Sequence, residues 1–203
     1  PLRMILRPLL LLLVAFVSCA AQAQLLSQLA LDGVRTYRNL EKALKEPEKV
    51  YRLDLSGQKL KELPESVRQF KNLNALDLGH NKLRTLPDWI GEFRYMQEFS
   101  AGQNKFEHVP EAICQWKDLK RLDMHKNALE GLPACMGGLD KVEVMDLWSN
   151  DLGTYPKELE GMTSVKFIDL RVIQYEQEEM EHIVGLFPKA KIYFSESCNC
   201  GTP

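Results

Sequence analysis

The sequence lacks most features that define membrane-spanning or catalytic proteins. Its longest apolar run has nine residues, whereas a spanning helix needs about 20, so no transmembrane segment is expected. Only five of the 203 residues are cysteine, too few for a small disulfide-built scaffold. Phosphate-loop, G-x-G-x-x-G, H-E-x-x-H and G-x-S-x-G motifs are missing. We therefore expect no enzyme activity, no cofactor and no metal site.

Charge is also close to balanced. The formal net charge is −2 and the pI is about 6.2, which argues against a dedicated nucleic-acid binder, because such proteins are usually basic. Hydrophobic residues make up 45% of the chain and charged residues 27%. These values are ordinary for a globular protein and predict a packed core.

The first 23 residues have the layout of a secretory signal peptide. Two arginines precede the apolar run Leu9–Val17, and small residues follow it up to Ala23. We predict that residues 1–23 are removed and that the mature chain is exported to the periplasm or the extracellular space. An alternative is lipid attachment at Cys19, because the three residues before it loosely match a lipoprotein box.

A repeat of 23 residues fills the middle of the chain. Proline recurs at this interval five times, at Pro64, Pro87, Pro110, Pro133 and Pro156. At an average proline content of about 5%, four such coincidences would arise by chance about once in 10⁵ sequences. The unit that begins at Leu73 reads LNALDLGHNKLRTLPDWIGEFRY. Its spacing is L-x-x-L-x-L-x-x-N-x-L.

This spacing resembles the leucine-rich repeat family, in its short-repeat branch, over residues 50–187. The resemblance implies an α/β, right-handed solenoid with a parallel concave sheet and helical end caps. Each Leu-x-Leu segment predicts one short strand, giving about six repeat strands, and each proline predicts a short helical turn on the opposite, convex side. One position of the repeat carries a side-chain amide, and its members are Asn81, Asn104, Asn127 and Asn150. Gln58 starts this series and Ile173 ends it. We expect each buried amide to form hydrogen bonds with backbone groups that would otherwise have no partner.

The two ends of the solenoid need caps, because a terminal repeat has no outer neighbour. Residues 24–49 are predicted to form the first cap, with a helix over 36–46. A second helix is predicted over 176–187, where it closes the repeat region. Its apolar face consists of Met180, Ile183, Val184 and Phe187. Residues 188–203 are predicted to form an edge strand, around Ile192 and Phe194, and a tail.

An aspartate occupies the middle of the strand in five units. We interpret this column as a solvated face balanced by Arg52, Arg121 and Arg171, because one donor group per strand forms a line and not a metal cage. His125 lies two residues after Asp123, so both side chains should face the same side. No nucleophile is evidently placed beside them.

Four cysteines remain after residue 23. Cys114 and Cys135 fall in adjacent repeats on the convex side, and we predict that they are close enough to pair. Cys198 and Cys200 lie in the tail. Four cysteines allow three pairings, and the sequence leaves the disulfide state open.

These observations predict a monomeric, non-catalytic scaffold that binds a protein or peptide on its concave sheet. Outward residues in the first three units are mostly small or polar, and those in the last three are larger, as interface hot spots often are. The predicted binding residues are Arg121, Asp123, His125, Val144, Asp146, Trp148, Phe167, Asp169 and Arg171. The alternative is an adhesin-like surface lipoprotein anchored through Cys19.

Overall fold

The computed structural model describes residues 24–195. Eight parallel strands form one open sheet in chain order. They are β1 (Thr36–Tyr37), β2 (Arg52–Asp54), β3 (Ala75–Asp77), β4 (Glu98–Ser100), β5 (Arg121–Asp123), β6 (Val144–Asp146), β7 (Phe167–Leu170) and β8 (Lys191–Phe194). Strands β2 to β7 pair with no register shift, so equivalent positions of successive repeats lie side by side. This architecture confirms the predicted solenoid.

The sheet has one strand more than predicted. The six repeats and the predicted edge strand account for seven of the eight strands. The predicted helix over 36–46 is wrong in its first part, because Thr36–Tyr37 forms β1 and pairs with Arg52 and Leu53 of β2. A shorter helix, α2 (Leu40–Ala43), begins only after Asn39 caps it by accepting a hydrogen bond from the Lys42 amide. Pairing with β2 therefore overrides the helical spacing of the segment.

The return from each of the strands β2 to β6 is a 3-10 helical turn, as the repeated proline predicts. Each turn begins immediately after that proline, which supplies the fixed backbone angle without needing an amide hydrogen. The five turns are Glu65–Gln69, Asp88–Glu92, Glu111–Gln115, Ala134–Gly138 and Lys157–Gly161. A further 3-10 turn, Pro47–Lys49, precedes β2.

The asparagine ladder forms between successive repeats. The Asn81 amide donates to the carbonyl oxygens of Leu55 at 2.9 Å and Leu78 at 2.8 Å, and its oxygen accepts from the Leu60 amide at 2.9 Å. Asn104, Asn127 and Asn150 repeat this arrangement. Gln58 is exposed, so the ladder begins one repeat later than expected, and it ends before the buried Ile173.

One helix precedes the first strand and another follows the last repeat strand. The C-terminal helix, α3 (Gln177–Leu186), starts with a capping box between Glu176 and Glu179. Ile183 and Phe187 are buried as predicted, but Val184 is 49% exposed and Leu186 is buried in its place. The N-terminal helix, α1 (Gln28–Gly33), lies against the outward side of the sheet, as the contacts below show.

Close contact between two neighbouring 3-10 turns depends on glycine. A Cβ atom added at Gly137 would lie 2.0 Å from the Glu158 carbonyl oxygen, and one at Gly161 would lie 2.3 Å from the Gly137 carbonyl oxygen. Both clashes are with backbone, which cannot rotate away. Glycine at positions 137 and 161 is therefore what allows the two turns, Ala134–Gly138 and Lys157–Gly161, to pack together.

We expect Gly137→Ala to lower the free energy of unfolding by about 2 kcal/mol, the usual cost of overpacking. The measurement is urea unfolding followed by circular dichroism. Gly138→Ala is the matched control, because a Cβ there meets only the flexible end of the Lys117 side chain. Its effect should stay within about 0.5 kcal/mol. Equal stability of the two variants would contradict the packing argument.

The predicted cysteine pair is confirmed. Cys114 and Cys135 form a disulfide between adjacent 3-10 turns, with a Cα–Cα distance of 5.8 Å. The predicted signal peptide (1–23), with Cys19, and the tail cysteines Cys198 and Cys200 lie outside the described residues. Among residues 24–195, no helix has the length and apolar character that crossing a membrane requires.

Candidate functional site

The nine predicted binding residues lie together on the outward face of the C-terminal half of the sheet, and we call this group the C-terminal patch. Register places Arg121, Val144 and Phe167 side by side in one row. Asp123, Asp146 and Asp169 form the next row along the strands. The remaining three, His125, Trp148 and Arg171, each follow two residues after these aspartates.

Helix α1 covers one row of the N-terminal half of the same face, the row formed by Arg52, Ala75 and Glu98. The Arg52 guanidinium pairs with Glu98 at 2.9 Å across the intervening Ala75, which is buried. Gln28 of α1 donates to Glu98 at 2.7 Å, and Leu31 of the same helix is fully buried. The next row, Asp54, Asp77 and Ser100, is polar and lines an open groove that reaches Asp123. The open part that also carries large apolar side chains is the C-terminal patch.

Apolar and aromatic side chains lie at the centre of this open part. The Trp148 indole stacks on the His125 imidazole, with ring centroids 5.3 Å apart and an interplanar angle of 2°. The Lys126 ammonium lies 4.6 Å from the centroid of the Trp148 ring. Phe167 is 45% exposed and Val144 is half-buried. Trp148 is thus held in a fixed orientation while part of its surface faces solvent.

The aspartate column has a structural role that the sequence analysis missed. The carboxylates of Asp54, Asp77, Asp123 and Asp169 each accept a hydrogen bond from the backbone amide two residues later, at 2.8–3.1 Å. This is an Asx turn, and it closes the end of each strand. The spacing Asp-x-Ser or Asp-x-Gly in the repeat was the signal that could have revealed it.

The expected charge balance holds for only one of the three arginines. Arg171 contacts both carboxylate oxygens of Asp169, whereas Arg52 pairs with Glu98 and Asp32. Arg121 makes no ion pair within residues 24–195. Sequence spacing put these arginines near the column, but side-chain length lets Arg52 reach across to another strand. Arg38, which was not predicted, pairs with Asp54 at 3.0 Å.

Asp146 is the least compensated carboxylate of the patch. Burial raises its pKa above the usual aspartate range, and the neighbouring Asp123 carboxylate raises it further. Its Oδ1 atom is inaccessible to solvent, and the His125 imidazole and the Trp148 backbone amide offset only part of the rise in its pKa. Asp169 differs, because the Arg171 guanidinium outweighs the effect of burial and holds the pKa of that carboxyl below its usual value.

An open sheet of parallel strands, built from 23-residue units with a stacked amide ladder, defines a solenoid repeat protein. The family described as Leucine Rich Repeat matches residues 72–93. The structure resembles a leucine-rich repeat protein of Leptospira interrogans, with 32% identity, a TM-score of 0.61, and coverage of 79% of this chain and 48% of that one. The chain thus spans about half the length of that protein. The chain therefore has the leucine-rich repeat fold, and residues 72–93 match that family in sequence.

Two further solved structures share the fold. An internalin from Listeria monocytogenes is 17% identical, with a TM-score of 0.55 over 72% of this chain and 40% of that one. The leucine-rich repeat ectodomain of the Arabidopsis thaliana receptor kinase GASSHO1/SCHENGEN3 is 26% identical, with a TM-score of 0.59 over 73% and 19%. No curated protein sequence matches the chain.

Proposed function

We propose that the chain is a non-catalytic scaffold that binds a protein or peptide through the C-terminal patch. The observation that carries this proposal is the difference between the two halves of the outward face. On the first half, α1 covers the row from Arg52 to Glu98 and the open remainder is polar, whereas the second half leaves Phe167 and part of Trp148 open beside charged groups. Aromatic residues surrounded by polar ones are typical of interface hot spots.

The chemistry of the patch supports binding over catalysis. Among residues 24–195, the hydroxyl that hydrogen-bonds to the His125–Asp123 pair is that of Ser100, and it donates to Asp123 at 2.9 Å and not to the imidazole. A serine nucleophile needs a base that accepts its proton directly. Among the similar structures, the Arabidopsis ectodomain is in complex with Casparian strip integrity factor 2. Recognition of a protein ligand by the same fold supports a comparable role here.

We also propose that the chain works outside the reducing cytosol. The signal-like residues 1–23 and the Cys114–Cys135 disulfide favour an oxidising compartment, either the periplasm or the extracellular space. The two features are independent, because one lies in the leader and the other connects two repeats.

We expect Trp148→Ala to weaken partner binding by about 2 kcal/mol, roughly 30-fold, because it removes the aromatic centre of the patch. Peptides selected from a random display library on the full chain are the probe, and fluorescence anisotropy measures their Kd. Thermal stability should stay nearly unchanged, since Trp148 contacts mainly the surface groups His125 and Lys126.

Trp89→Ala is the matched control, because it removes the same side chain from the 3-10 turn side of the solenoid. Its Kd for the selected peptides should equal that of the unmodified chain. The proposal fails if Trp148→Ala retains full affinity, or if it loses thermal stability while keeping its peptide ligands.

A further inference from the structure

Three metal-ligating side chains converge inside the C-terminal patch. Asp123 and Asp146 are direct cross-strand partners on β5 and β6, and His125 follows Asp123 by two residues on the same face. One ligand atom from each of the three lies within 4.8 Å of the other two. The aspartate column alone supplies a line of oxygen donors. His125 adds a second donor beside β5, so the donors here form a triangle.

The basic group that faces these two carboxylates is the His125 imidazole. Among residues 24–195, neither Asp123 nor Asp146 forms an ion pair with a lysine or an arginine. The Oδ1 atom of Asp146 is shielded from water and forms no well-aligned hydrogen bond, although the Trp148 backbone amide lies beside the carboxylate. A bound cation would offset the repulsion between the two carboxylates and satisfy that oxygen.

The imidazole is held in position from two sides. Trp148 stacks on one face of the His125 ring, and Gly102 of the preceding repeat leaves the space that the ring occupies. A Cβ atom at Gly102 would lie only 2.4 Å from His125 Cε1. The Nδ1 atom of His125 lies 2.5 Å from Asp123 Oδ1, so a single proton joins the two potential ligands.

We propose that Asp123, His125 and Asp146 form a binding site for a divalent transition metal, with Zn²⁺ as the best match. One imidazole nitrogen and two carboxylates suit Zn²⁺, whereas Mg²⁺ and Ca²⁺ prefer oxygen ligands alone. Zinc binding at Nδ1 releases the proton shared by His125 and Asp123 to solvent, and the two ligand atoms move apart from 2.5 Å to about 3 Å, because each bond to zinc is about 2.0 Å long. Three protein ligands leave a fourth coordination position for water. The site does not depend on the proposed scaffold function.

Isothermal titration of the metal-free full chain with ZnCl₂ tests this site. Cys19, Cys198 and Cys200 are replaced by serine in every protein, because thiolates would bind zinc themselves. We expect one Zn²⁺ per chain, no comparable binding of Mg²⁺, and a loss of at least about 10-fold in affinity for His125→Asn and for Asp146→Asn. Gly102→Ala, which leaves all three ligands intact but displaces the ring, should also weaken binding.

Two matched substitutions outside the site serve as controls. His80→Asn removes an exposed histidine whose ring contacts Gln103, and Asp54→Asn removes a carboxylate of the same column that pairs with Arg38. Both should retain the zinc affinity of the parent chain, and circular dichroism should show all variants folded. The proposal is overturned if the parent shows no saturable binding, or if His125→Asn binds zinc as tightly as the parent.

Discussion

Replacing Asn81 by alanine should lower the free energy of unfolding by about 4 kcal/mol. The side chain is buried and bonds four backbone groups of two repeats, namely the amide of Leu60 and the carbonyl oxygens of Leu55, Leu78 and, more weakly, Gly79. Each lost hydrogen bond costs about 1 kcal/mol net, and each buried backbone group left without a partner adds about 1–3 kcal/mol. The Leu78 oxygen keeps a second donor from Asn104, which limits the total.

Two further substitutions separate hydrogen bonding from loss of volume. Asn81→Asp preserves the shape and the acceptor but cannot donate to the carbonyl oxygens, so it should be destabilised at least as much as Asn81→Ala. Gln58→Ala alters the equivalent position of the first repeat, where the side chain is exposed, and should stay within about 0.5 kcal/mol. Urea unfolding measures all three. Near-normal stability of Asn81→Asp would refute the ladder argument.

The repeated part of the fold could be predicted because every unit carries the same local information. Alternation in Leu76-Asp77-Leu78 fixes a strand with its leucines inward, and Pro87 fixes the start of the following 3-10 turn. The period then fixes the register, because a one-residue slip would expose every inward leucine. Strands β2 to β7 follow from these three facts.

The N-terminal segment could not be predicted in the same way, because its contacts are with residues far along the chain. The Leu26 amide donates to Asn74 Oδ1, and Gln97 Nε2 donates to the Leu26 carbonyl oxygen. These pairs are 48 and 71 residues apart in sequence, and no periodicity connects them. The position of α1 over the sheet is therefore a property of the folded molecule alone.

The position of the C-terminal patch followed from the sequence, but its chemistry did not. Register placed Asp123 beside Asp146 and the larger side chains on the last strands. Which carboxylates are paired depends on side-chain conformation, as with Arg171 on Asp169 and Arg52 on Glu98. The convergence of His125 with two aspartates also depends on the space left by Gly102. Neither fact is encoded in the repeat spacing.

Removal of the disulfide should lower the free energy of unfolding by about 3 kcal/mol. Cys114 and Cys135 are separated by 21 residues. A crosslink that closes a loop of that length reduces the conformational entropy of the unfolded chain, which accounts for a stabilisation of about this size. The bond also ties together two neighbouring 3-10 turns, Glu111–Gln115 and Ala134–Gly138. The convex side there has no β-ladder to hold adjacent repeats in place, so the crosslink should matter most in that region.

Urea unfolding of a chain whose other three cysteines are serine, with and without dithiothreitol, measures this contribution. Reduction should move the midpoint to lower urea, and the variant Cys114→Ala/Cys135→Ala should unfold near the reduced midpoint in both conditions. Cys114 is buried in the core, so alanine is the apolar replacement that adds no unsatisfied hydroxyl. If dithiothreitol leaves the midpoint of the disulfide-bearing chain unchanged while free thiols are detected, the bond does not stabilise the solenoid.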